Sequence, residues 1–306
     1  MLWAILAGTA ACTNAAYFIA NKKFLKRLDP NLLASSGFLF TAFFLIALAL
    51  INGIPVVGEG FMFAALATTF LNILGTTLTF RALSSTDISL AIPMLSFTPL
   101  FLVGTAFLLL GELPSAAGGL GIVIIVAGSY VLNTATGHKR LLDPFRAMLS
   151  CPGVMAMLGV AFIYSLSINY DKMVVLETDP MYGPGIVFFM LGCAFGIIAL
   201  LARAGRLPRA LVPPPPPEAG EMGAVTPVAA LYLAGALTGI VITVEAVCIN
   251  TAYLIQIVPY VISIKRMSII LVVLYGTIIS HEKEILYRFI GAGLMVVGAV
   301  LILAFP

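Results

Sequence analysis

Charge is scarce in this 306-residue chain. Asp, Glu, Lys and Arg make up 9% of it, against about a quarter in soluble domains. That shortage excludes a soluble globular fold, because nothing polar remains to cover the surface. Histidine is nearly absent: only His138 and His281 occur, both outside the long apolar runs. No Asp falls inside a predicted span either. An intramembrane enzyme built on a histidine-rich metal set or on paired aspartates is therefore only a distant alternative, as is a sensor subunit without transport, and neither a metal nor any other cofactor is expected. The four cysteines, Cys12, Cys151, Cys193 and Cys248, are far apart and form no CxxC pair. They read as apolar residues, not as a redox or metal site. No basic segment precedes the first apolar run, so no cleavable signal peptide is predicted. Strands of alternating polarity are missing too, which leaves a helical bundle to satisfy the backbone in lipid.

What is present is apolar: 61% of the residues, with a mean hydropathy of +1.12. A helix needs about 20 such residues to cross the hydrocarbon core. Ten spans are predicted, at 2–20, 32–51, 61–80, 88–110, 115–133, 153–170, 183–202, 227–249, 257–279 and 285–304. The fourth and fifth are separated at Gly111-Glu112-Leu113-Pro114. Connections are short except for 203–226, where three arginines and the run Pro213 to Pro217 predict a stiff solvated spacer.

The basic residues are asymmetric. Thirteen of the sixteen Lys and Arg residues fall in the connections after odd-numbered spans, among them Lys22, Lys23, Arg81, Arg140 and Arg203. Lys172 alone is assigned to the opposite side, and Lys265 and Arg266 lie inside span 9. By the positive-inside rule the odd connections face the cytoplasm and both termini face outward. The expected location is the plasma or inner membrane.

The two halves repeat each other. Asn21-Lys22 and Asp29-Pro30 match Asp171-Lys172 and Asp179-Pro180 at an offset of 150. Ala82, Glu112, Gly121, Val126 and Gly128 match Ala252, Glu282, Gly291, Val296 and Gly298 at an offset of 170. Five spans per half is odd, so the halves must be inverted: residues 1–137, a connection at 138–152, then 153–306. Inverted repeats are an architecture of alternating-access transporters. The seven-residue spacings Gly121/Gly128 and Gly291/Gly298 put each pair on one helix face. They predict close helix packing by spans 5 and 10, and with it a possible homodimer through those spans.

Polar residues gather in spans 1, 3, 4, 6, 8 and 9, including Asn14, Asn72, Asn169 and Asn250. Spans 2, 5, 7 and 10 are nearly bare. This predicts six spans around a wet cavity and four facing lipid or a partner. Back-bonding of Ser and Thr to their own helix explains any single case, but not the pairing by repeat. Glu245, Lys265 and Arg266 are read as the only charges in a span interior. Each costs about 2.5–3.5 kcal/mol at mid-membrane, so each needs a role. Their depths permit a Glu245–Lys265 or Glu245–Arg266 ion pair, with the other cation facing the cavity. Pro93, Pro99 and Pro259 are candidate points of local unwinding. Tyr253, Gln256 and Tyr260 flank the start of span 9 as solute contacts or interfacial anchors. Trp3 is expected in the aromatic belt, and Glu112 and Glu282 as caps or gate contacts.

The stretch Arg81-Ala-Leu-Ser-Ser-Thr-Asp-Ile-Ser-Leu-Ala91, with Pro99-Leu100, Gly111-Glu112 and Gly121…Gly128, resembles the EamA-type module of the drug/metabolite transporter superfamily. The second half repeats it through Lys265-Arg266-Met267-Ser268, His281-Glu282-Lys283 and Gly291…Gly298. The resemblance implies ten helices, a central cavity and alternating access, and it leaves the substrate open. Lys265-Arg266 is also similar to the pair that plastid triose-phosphate translocators of the same superfamily use for phosphate, although the repeat mates here are Leu95 and Ser96. Two readings of the site follow. In one, Lys265 and Arg266 bind an organic anion, phosphorylated or carboxylate-bearing, with Glu245 as their partner in the empty cavity or as a proton carrier. In the other, the three are a structural ion pair or a proton-coupling group in an exporter of neutral amino acids, drugs or other small metabolites. Asn14, Asn72, Asn169 and Tyr260 complete the candidate site. The expected partners are a small-molecule substrate and the lipid bilayer, with no nucleic acid.

Overall fold

A computed structural model describes residues 1–25, 27–53, 55–85, 94–134, 152–207, 228–280 and 285–305. Every regular element among them is helical: α1 (Leu2–Phe24), α2 (Pro30–Asn52), α3 (Phe61–Ser85), α4 (Thr98–Leu110), α5 (Ala116–Thr134), α6 (Pro152–Leu176), α7 (Tyr182–Arg203), α8 (Val228–Tyr253), α9 (Val258–Lys265), α10 (Ser268–Ser280) and α11 (Ile285–Ala304). Six of these, α1, α2, α3, α6, α7 and α8, are long and apolar enough to cross a membrane unaided. Pro93, His138, Cys151, the Pro213–Pro217 run, His281 and Glu282 lie outside the described residues.

Local chemistry sets the helix ends. The Asp29 carboxylate accepts from the Asn31 and Leu32 N–H groups, and Pro30 occupies the first turn of α2, where a missing N–H costs nothing. Asp179 does the same 150 residues later, accepting from the Met181 and Tyr182 N–H groups at the start of α7. Gly111, with φ +69°, ends α4 in the left-handed conformation. The Glu112 N–H then turns back to the Ala106 carbonyl.

Spans 4, 6 and 9 depart from their predicted form. Span 6 continues to Leu176, so Asp171 and Lys172 lie inside α6 and not in a connection. Lys172 is buried and paired with Glu112, so it does not count as a basic residue on the outer face. Span 9 is not continuous. It divides at Arg266–Met267 into α9 and α10, and span 4 divides in the same way at Ser96–Phe97, before α4. Neither break falls at a proline. Pro99 and Pro259 instead occupy the first turns of α4 and α9.

The packing is pairwise. Helix α5 lies along α11, α2 along α7, α3 along α6 and α1 along α8. Helix α2 also packs on α8, and α3 on α7. Small residues permit the close approaches. A Cβ on Gly121 would stand 2.7 Å from the Gly298 carbonyl oxygen, and one on Gly128 2.7 Å from that of Gly291. The glycine faces of the fifth and tenth spans thus meet each other within one chain. Trp3 is buried and stacks on Tyr260 at 6.5 Å, so it packs inside the bundle and not in a lipid-facing belt.

Candidate functional site

The site is built from the ends of helices that hydropathy alone leaves plain. Glu245 and Lys265 each lie about two turns from the α8–α9 connection, which brings them level across the helix pair. Lys265 Nζ is 2.5 Å from Glu245 Oε1. Both carboxylate oxygens of Glu245 also accept from Asn14 Nδ2, at 3.1 and 3.2 Å. Asn14 Oδ1 in turn accepts from the Ser268 hydroxyl at 3.0 Å. Lys265 is the last residue of α9 and Ser268 the first of α10, so one Asn14–Glu245 unit holds both sides of the helix break.

Facing this unit is a second polar cluster on α3 and α6. The Thr68 hydroxyl donates to Asp171 Oδ1 at 2.5 Å and lies 2.8 Å from the Ser167 hydroxyl. Asn72 Nδ2 donates to the Thr68 carbonyl and to Ser167 Oγ. Sequence reasoning missed Asp171 by ending span 6 at residue 170. The apolar run Met173–Leu176 beyond it was the signal that the helix continues.

Between the clusters lies a cavity of about 210 Å³. Asn72, Asp171, Glu245, Asn250, Tyr253 and Lys265 supply its polar lining; Phe38, Phe188, Ile168 and Ile242 are among its apolar walls. The expectation that spans 2 and 7 face lipid or a partner and not the cavity is corrected here. Phe38 of α2 and Pro184, Val187, Phe188 and Leu191 of α7 form part of the wall, because the glycine-mediated approach of α7 to α2 carries both to the cavity. Several hydroxyls of the predicted polar set, including Thr9, Thr238 and Thr243, bond to the carbonyl four residues back in their own helix.

The remaining candidates divide. Asn72, Glu245 and Lys265 line the cavity, with Asn14 bonded to Glu245 beside it. Asn169 is fully buried away from the cavity, donating to Thr105 Oγ1 and to the Ser165 carbonyl. Tyr260 is also remote, its hydroxyl accepting from the Ser115 N–H at 2.8 Å. Arg266 is not among the lining residues, and its Nε is buried without a hydrogen-bond partner among the described residues. The cation at the cavity is therefore the one already paired. Glu112 acts as both a cap and a clamp: it pairs with Lys172 and accepts from the Val258 N–H at the start of α9, at 2.7 Å.

Residues 1–134 match the sequence model of the EamA-like transporter family. A solved structure described only as "Crystal structure of protein" is similar over 99% of this chain and 98% of its own, with a TM-score of 0.74 at 18% identity, a likeness of fold alone. No curated protein matches the chain. With its long apolar helices, the chain is a multi-pass membrane protein that resembles the EamA-like transporter family over residues 1–134.

Proposed function

We propose that this protein is a secondary transporter of a small metabolite, working by alternating access between two inverted five-span halves in a plasma or inner membrane. One observation carries the reading: a cavity enclosed by helices of both halves holds Asp171, Glu245 and Lys265 within the membrane-spanning bundle. Charge at that depth is costly and marks a solute or ion path. The inverted arrangement draws support from the packing. Exchanging the first five spans with the last five turns the α3–α6 contact into α8–α1 and the α2–α8 contact into α7–α3, while α2–α7 and α5–α11 map onto themselves. The breaks at Ser96–Phe97 and Arg266–Met267 also correspond at the offset of 170.

The organic-anion reading needs a cation free to meet the solute. Lys265 already pairs with Glu245, and Arg266 is not in the lining. The geometry therefore favours the alternative, in which Glu245 and Lys265 form a structural pair beside a solute that is not an anion. A homodimer through the fifth and tenth spans would have to use their outer faces, where Leu120, Val123, Val296 and Val297 are exposed, since the glycine faces are engaged within the chain.

The test is accessibility. In a cysteine-free background, Ile249→Cys places a thiol on the cavity wall, and sealed vesicles of each orientation are treated with a membrane-impermeant maleimide. Alternating access predicts labelling from both sides. Labelling from one side only, whatever solute is added, would reject the mechanism.

A further inference from the structure

The hydrogen-bonding character of the cavity carries more than its existence. Two of its polar groups are amides whose orientation is fixed by backbone carbonyls, which can only accept. Asn72 Nδ2 donates to the Thr68 carbonyl at 3.0 Å, and Asn250 Nδ2 to the Pro180 carbonyl at 3.1 Å. The Asn72 nitrogen is committed to protein, Asn250 has used one of its two N–H groups, and both keep the carbonyl oxygen to meet a solute. Asp171 uses one oxygen for the Thr68 hydroxyl and, as a carboxylate, retains further acceptor sites. The one charged donor, Lys265, is already bound to Glu245. With both carboxylates ionised, the lining carries two negative charges and one positive.

Resting on the transporter reading above, we infer that the cavity recognises a small organic cation, a protonated amine whose ammonium group is bound by Asp171 with the Asn72 and Asn250 carbonyl oxygens, and whose apolar remainder lies against Phe38, Phe188, Ile168 and Ile242. An ammonium group brings three donors to the acceptors around Asp171, whose recorded side-chain bond is to a neutral hydroxyl. An anion would meet two carboxylates, and the one cation in the lining, Lys265, already shares its charge with Glu245. The volume of about 210 Å³ lies below the roughly 300–1,000 Å³ of drug-sized pockets, which suits a metabolite of a few heavy atoms.

The test uses the full chain in lipid nanodiscs near neutral pH and three solutes of one shape: isoamylamine, isoamyl alcohol and isovalerate. Calorimetric titration should show the amine binding at least about tenfold tighter than the other two, the size of effect expected for a hydrogen bond to a charged group. Asp171→Asn should remove that preference, and Asp171→Glu should keep most of it. If Asp171→Asn does not fold, Asn250→Leu serves instead and should weaken the amine more than the alcohol, narrowing the preference. Equal or tighter binding of isovalerate or the alcohol overturns the assignment, as does an amine preference that survives these variants, or no binding by any of the three. None of those results touches the two-sided accessibility of Ile249→Cys, so failure of the cation assignment and failure of the transport reading remain distinguishable.

Discussion

Lys265 Nζ and Glu245 Oε1 stand 2.5 Å apart, with the side chains only 26% and 12% exposed. Removing one partner of a buried pair strands the other, at a cost of about 3–5 kcal/mol. Glu245→Gln is therefore expected to lower unfolding stability by about that amount, and Lys265→Met by less, since Asn14 still bonds Glu245. The double variant should recover part of the loss. Denaturant unfolding in detergent across the four-member cycle checks this. Strict additivity would mean that the pair contributes nothing.

Gly298 and Gly293 lie on the same helix with opposite surroundings. A Cβ on Gly298 would stand 2.5 Å from the Gly121 carbonyl oxygen, a backbone atom that cannot turn aside, whereas nothing lies within 4 Å of one on Gly293. Gly298→Ala should cost about 1–3 kcal/mol by overpacking. Gly293→Ala should be neutral or stabilising by up to about 1 kcal/mol. Melting temperatures of the two variants decide it, and equal shifts would contradict the tight α5–α11 seam.

Asp29 and Asp179 each hold two backbone N–H groups at a helix start. Alanine at either position should cost about 1 kcal/mol, while asparagine, which keeps an acceptor, should cost much less. Thermal unfolding of the four single variants measures this.

The basic asymmetry of the connections gives a topological prediction. Reporter fusions at the two termini should both be translocated, and Lys23→Glu with Arg27→Glu should increase the fraction of inverted chains. Reporters retained in the cytoplasm would reverse the orientation argued here.

Most of the fold was legible because a membrane helix announces itself by length and hydropathy. The Glu245–Lys265 pair was legible because helical rise places them level. Asp171 was not, since a charged Asp-Lys pair at a span edge reads as the water boundary; the Glu112 carboxylate and the Gln256 carbonyl, both distant in sequence, make Lys172 tolerable inside the bundle. The break at Arg266–Met267 was hidden for a different reason. No proline or glycine marks it, and the ties from Asn14 and Glu245 to its two sides come from other helices. The same division of labour made Arg266 look like a cavity residue in sequence, although Lys265 is the one that faces the cavity.

The interruption between α9 and α10 makes the ninth span a jointed arm. Bending an intact helix would sacrifice backbone hydrogen bonds in a medium that offers no replacements, whereas at Arg266–Met267 a turn already bonds the two N–H groups to the Ile262 and Ile264 carbonyls. What ties the two sides of the joint together is one asparagine and one carboxylate, and that same carboxylate lines the cavity, so the joint and the solute chamber share a single set of atoms.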